Sequence, residues 1–166
     1  MPAAYFLNVT IHVLAAMFWL GGMFFLAVVG APALRAVQPP ALRQQLFQEL
    51  GVRFRTAGWW AIGVLLVTGV INLHYRHWLQ WDGLLDNPAF WRTATGHSLA
   101  VKLAAVAGMV VVSFVHDFIV GPRAGLAKAG SAEAATLRRR AALLARVNAV
   151  LGLILVIAAV RLARGG

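Results

Sequence analysis

The stretch NVTIHVLAAMFWLGGMFF, residues 8–25, decides the fold. It has no charged residue, and the apolar run around it reaches from about Ala4 to Gly30 before Pro32 and Arg35 end it. Crossing about 30 Å of hydrocarbon takes roughly twenty apolar residues in a helix, so this segment reads as a membrane span. The absence of a basic leader and the length of the run argue for a retained helix rather than a signal peptide, although Ala31-Pro32-Ala33 resembles a cleavage site.

Working outward, three more segments have the required length: about Ala57 to Tyr75, Gly96 to Val120 and Ala141 to Leu162. The fourth is interrupted near its start by Arg146, which can snorkel. The composition agrees. Of 166 residues 61% are hydrophobic and 12% charged, against about a quarter charged in soluble domains. The expected architecture is all-α: one four-helix transmembrane bundle over residues 1–166, up-down-up-down, with spans at about 4–30, 57–75, 96–120 and 141–162. The segment Gln38 to Leu50 reads as a separate short amphipathic helix. No internal repeat or low-complexity tract stands out.

The net charge of +10 would suggest nucleic acid in a soluble protein. Here it follows the loops instead. Arg35, Arg43, Arg53 and Arg55 lie between spans one and two. Arg123, Lys128, Arg138, Arg139 and Arg140 lie between spans three and four. The other side holds Arg76, Arg92, Arg161 and Arg164. Basic loops face the cytoplasm, which predicts both termini outside, in a multi-pass protein of the bacterial inner membrane. Lipid is the expected partner, and nucleic acid is not. The outer connection carries Trp78, Trp81 and Trp91, suited to an interfacial aromatic belt, together with Asp82 and Asp86.

Ionisable groups inside spans are functional candidates. His12 lies about 12 Å into span one, on a stripe with Tyr5, Asn8, Ala16 and Trp19. Thr68, Asn72 and Arg76 share a face of span two, with His74 and His77 at its rim. His97 opens span three, and Lys102 follows it inward. His12, His74, His97 and Lys102 thus fall in the outer part of one small bundle. Each also has a plain structural reading: a rim histidine at the interface, a helix-start residue, a core histidine bonded to a neighbouring helix, a snorkelling lysine. His116, Asp117 and Arg123 fall at the opposite end and read most economically as a salt-bridge and capping cluster. Trp19, Gly21 and Gly22 also suit close helix packing.

The absence of cysteine excludes disulfides, iron–sulfur clusters, thiolate metal sites and cysteine nucleophiles. No phosphate-binding or dinucleotide fingerprint occurs, and no nucleophile–base–acid arrangement is visible. What remains is metal or haem chemistry. Haem b takes one or two axial ligands from facing helices. His12 with His74 or His97 would supply them, Arg76, Arg92 and Lys102 would meet the propionates, and Phe18, Trp19, Trp59 and Trp60 would line the slot. Copper is the alternative. Copper(I) favours sulfur, and the four methionines, Met17, Met23 and Met109 among them, form no ladder. A site from His12, Met17, His74 and His97 nevertheless suits imidazole chemistry.

The segments IHVLAAMFWLGGMFFLAVVGAPALR, FRTAGWWAIGVLLVTGVINL and TGHSLAVKLAAVAGMVVVSFVHDFIVGPR resemble the copper-resistance D (CopD-like) membrane family over nearly the whole chain. The resemblance rests on His12, Trp19, Gly21 and Gly22, on Thr68 to Leu73, and on Gly96 with Lys102. It implies copper uptake into or across the inner membrane. The pattern is also similar to the HemJ-type protoporphyrinogen oxidases, small haem-binding bundles with a histidine in the first span and a lysine early in a later one. That similarity implies roles for His12 and Lys102. The expectation drawn is a histidine-built centre in the outer half, holding haem b for electron transfer or porphyrin chemistry. A quinone, a periplasmic redox or copper protein, and a second copy of the chain are the expected partners. Copper transport and a non-catalytic assembly subunit are the alternatives.

Overall fold

A computed structural model describes residues 3–79, 86–128 and 130–165. Among them every regular element is helical. Four long helices dominate: α1 (Ala3–Arg35), α2 (Pro40–Tyr75), α3 (Ala94–Leu126) and α4 (Ala132–Ala163), each long and apolar enough to cross a membrane. A 3-10 turn, Phe90–Arg92, precedes α3. Trp81 and Asp82 lie outside the described residues.

The helices form two hairpins. α1 packs chiefly on α2, and α3 chiefly on α4. The start of α1 and the end of α4 lie at the same end of the bundle. Tyr5 and Tyr75 stack edge-on with centroids 5.2 Å apart, and Thr95 Oγ1 donates to the Gly165 carbonyl at 2.7 Å. Successive helices therefore run up and down, as their sequence order predicts.

Two local features shape the hairpins. α1 and α3 each contain a π-helical segment, Leu26–Gly30 and Val115–Val120. Each lies just before a proline, Pro32 and Pro122. Proline has no N–H for the carbonyl four residues earlier and its ring crowds that carbonyl. The wider π turn makes room for it.

α2 differs from expectation. The segment from Gln38 to Leu50 is not a separate helix: a single helix runs unbroken from Pro40 to Tyr75, 36 residues. No proline interrupts it. Gly51 has open space around it, and Glu49 and Arg53 pair at 2.7 Å across one turn. At 1.5 Å per residue the helix is about 54 Å long, well beyond the hydrocarbon thickness. α4 likewise begins at Ala132, well before Arg146. Both helices extend past the membrane at the arginine-rich end.

The core is small because most apolar side chains face lipid. Trp19, Leu20, Ala61, Ile62 and Met109 form its centre. A second cluster of Phe90, Leu99 and Leu162, with Trp78 and Leu73 against it, closes the end where α1 starts and α4 stops.

Candidate functional site

Two residue pairs at i, i+4 spacing face each other across the first hairpin: Asn8 and His12 on α1, Thr68 and Asn72 on α2. Asn8 Nδ2 donates to the Thr68 carbonyl at 3.0 Å and to Asn72 Oδ1 at 2.8 Å. His12 Nδ1 lies 2.7 Å from Thr68 Oγ1, and the ring rests against Gly69. Asn8 and Thr68 are buried, and His12 is half-buried.

This ladder determines the histidine's proton. Thr68 Oγ1 also lies 2.6 Å from the Val64 carbonyl oxygen, one turn back on α2. Two oxygens that close need a proton between them, and a hydroxyl has one proton. Thr68 therefore donates to Val64, the usual back-bond of a helical threonine, and accepts from His12. Neutral His12 carries its proton on Nδ1, so Nε2 keeps its lone pair. Metal-binding histidines are commonly held in this way, one nitrogen tied to a protein oxygen and the other left to bind.

Lys102 enters the site from α3. Its ammonium is close enough to His12 for charge on either group to act on the other, and Arg76 acts on Lys102 in the same way. Arg76 also lies over the Trp78 ring, 5.2 Å from its centroid. Among the described residues the two ion pairs are Glu49–Arg53 and His116–Asp117. Lys102 and Arg76 belong to neither. His12 and Lys102 thus lie about 12 Å inside the helix ends, and Arg76 caps the end of α2 on the Lys102 side of the site.

The remaining expected residues are placed differently. His74 and His97 are exposed. His74 stacks edge-on with Tyr75, centroids 6.3 Å apart. Among the described residues no three of His, Cys, Asp and Glu gather closely enough to hold a metal ion. Met17 is 65% exposed on the outer surface of α1. Trp19 is core packing, with its indole edge 3.6 Å from where a Gly58 side chain would begin. Gly22 leaves room for the Phe54 ring, while nothing approaches Gly21. Arg92 is exposed. His77 has a backbone role. It adopts a left-handed φ of 57°, its N–H bonds the His74 carbonyl, and the Trp78 N–H bonds the Leu73 carbonyl. That is a Schellman termination of α2 with histidine in the position glycine usually takes.

At the opposite end, Asp117 accepts from Trp59 Nε1 at 2.9 Å and pairs with His116 Nδ1 at 2.8 Å. Arg55 donates to the Asp117 carbonyl and covers the Phe118 ring. Arg123 takes no part in either ion pair. A further polar group escaped the sequence reading. Buried Asn148 on α4 donates to Ser113 on α3 at 2.8 Å and to the Met23 sulfur on α1 at 3.5 Å, leaving its own oxygen unpartnered. An asparagine inside an apolar span was the available signal.

The model of the family described as copper resistance protein D matches residues 48–162, more than half of the chain. This chain belongs to the copper resistance protein D family. The matched region takes in His74, His97 and Lys102 and leaves α1, with His12, outside it. An uncharacterized protein of Aquifex aeolicus (strain VF5) is 34% identical over 115 residues, 69% of this chain and 68% of that one. No solved structure matches. As a family member with four membrane-length helices, the CopD-family chain is a multi-pass membrane protein with a function related to copper resistance.

Proposed function

We propose that this CopD-family protein holds haem b through His12, in the half of the bundle where α1 starts and α4 stops, for electron transfer or porphyrin chemistry. One observation carries the reading: an imidazole with a free nitrogen lies near Lys102, with Arg76 next beyond at the end of α2, and neither cation has an ion-pair partner among the described residues. A bare copper ion there would find one imidazole and the repelling charge of Lys102. Haem brings four ring nitrogens of its own, needs one or two axial ligands, and carries two propionates that match a lysine and an arginine. When bound, it supplies reversible one-electron chemistry at iron. The chain's part is to hold the imidazole in one tautomer through Thr68 and to neutralise carboxylates through Lys102 and Arg76. His74 and His97, at the rim of the same end, would be the candidates to supply a second imidazole to the group.

Copper binding or uptake is the second reading, favoured by the family to which the chain belongs. Gently purified protein distinguishes the two by metal analysis and a reduced-minus-oxidised visible spectrum of wild type and His12→Ala. A b-type α band present in wild type and lost in the variant supports haem. Stoichiometric copper without a haem band sinks that reading and supports copper. Protein with neither ligand, unchanged by the substitution except in stability, leaves a non-catalytic assembly role.

A further inference from the structure

The arginine-rich end of the bundle has a cleft of about 550 Å³ between the end of α3 and the start of α4. Arg123, Lys128 and Arg140 line it, with Glu133 as its one acid and Leu126 and Leu137 on its wall. Among the described residues none of the three cations takes part in an ion pair. Three positive charges and one negative charge therefore surround one concave space. The usual fate of surface charges is to spread apart in water, so convergence around a cleft calls for an anion.

The backbone that carries the cleft is braced from α2. Gln44, on the part of α2 that extends past the membrane, donates through Nε2 to the Gly125 carbonyl at 3.2 Å and the Ala127 carbonyl at 2.9 Å. Its amide lies flat against Gly125, where a side chain would begin 3.2 Å from the Gln44 Cδ. Ala127, Ala134 and Leu137 form a small buried cluster beneath. The turn between the helices is thus pinned from a third helix, and Arg123, Lys128 and Arg140 rise from backbone that is held in place.

We propose that this cleft binds phosphate groups. Tetrahedral oxyanions match the several directed N–H donors of arginine. The position supplies a source. Arg123 follows the apolar part of α3 by one turn, which puts it at headgroup depth. Basic pockets between membrane helices commonly take anionic lipid headgroups. A soluble phosphate would use the same donors. This site is independent of the His12 centre and stands or falls without it.

Full-length protein in neutral detergent micelles is titrated with dioleoyl-phosphatidylglycerol, with dioleoyl-phosphatidylcholine, and with sodium phosphate against sodium chloride at equal ionic strength. Binding is read by native mass spectrometry and calorimetry. The expected result is binding of the glycerol lipid or of phosphate well above the choline lipid and chloride. The Arg123→Gln/Arg140→Gln double variant then binds roughly tenfold more weakly. Arg161→Gln/Arg164→Gln, which removes the same charge at the other end, stays within about twofold of wild type. Preference for the lipid over free phosphate identifies a headgroup site, and the reverse identifies a soluble ligand. No preference over the neutral controls, or equal weakening in both double variants, overturns the proposal. Lys128→Gln, an exposed single change that leaves the helices intact, gives the same reading if the double variant misfolds.

Discussion

At the scale of single residues, hydrogen-bond count decides more than hydrophobicity does. Thr68 has one proton and two neighbours that want it, and the carbonyl at 2.6 Å takes it. That leaves His12 as donor through Nδ1. Replacing Thr68 by valine keeps the shape and removes the acceptor, so the imidazole proton loses its partner. The expected outcome is a loss of about 1–2 kcal/mol in unfolding stability. If His12 binds a metal centre, its affinity falls about 10–100-fold as well. Unfolding in mixed detergent and ligand retention measure the two effects separately. A variant as stable as wild type would show that the ring is held by something else. His77 tests backbone strain. Its left-handed φ of 57° is disfavoured for any residue with a Cβ. His77→Gly relieves about 1 kcal/mol of strain with the Schellman bonds kept and at the same time removes the interaction that His77 makes; a net rise in unfolding stability is the expected outcome. A lower stability would mean that the imidazole contributes more than the strain costs.

At the scale of elements, the start of α3 depends on one glycine. Thr93 caps the helix by accepting from the Gly96 N–H at 3.0 Å. The 3-10 turn before it folds back so tightly that a side chain on Gly96 would collide with the Phe90 carbonyl. The obstacle is backbone, which cannot swing aside as a side chain can. Gly96→Ala is therefore expected to cost about 2–4 kcal/mol and to release Phe90 and Trp78 from the cluster they form with Leu99 and Leu162. Tryptophan fluorescence should shift to the red together with the loss of stability. An unshifted spectrum at wild-type stability would refute this packing. Gly22 meets only the Phe54 ring, so alanine there should be tolerated better.

At the scale of the whole molecule, two hairpins are joined by sparse polar contacts through the apolar interior, of which buried Asn148 donating to Met23 on α1 is one, while its bond to Ser113 ties α4 to α3 within their own hairpin. The basic residues predict a direction across the membrane, and that prediction has a clean test, since the chain contains no cysteine. A single cysteine placed at Gly165 should react with a membrane-impermeant maleimide in intact spheroplasts. One placed at Lys128 should react only after lysis. The opposite pattern would invert the bundle and place His12 near the cytoplasm.

The number, order and approximate positions of the four helices were legible in the amino-acid sequence, because hydrocarbon imposes length and charge limits that each span must meet by itself. His12, Lys102 and the Thr68–Asn72 face stood out for a related reason: polar groups in apolar runs are conspicuous. Tertiary structure decided what those groups meet. Asn8 and His12 lie some sixty positions from Thr68 and Asn72, and the rotation of α1 against α2 sets their pairing. The exposure of His74 and His97 depends on the same rotations, which neither hydropathy nor spacing encodes. The unbroken α2 and the cleft at the arginine-rich end were hidden because packing beyond the membrane follows contacts among distant segments, Gln44 with Gly125 and Ala127 among them, rather than the local pattern of any one.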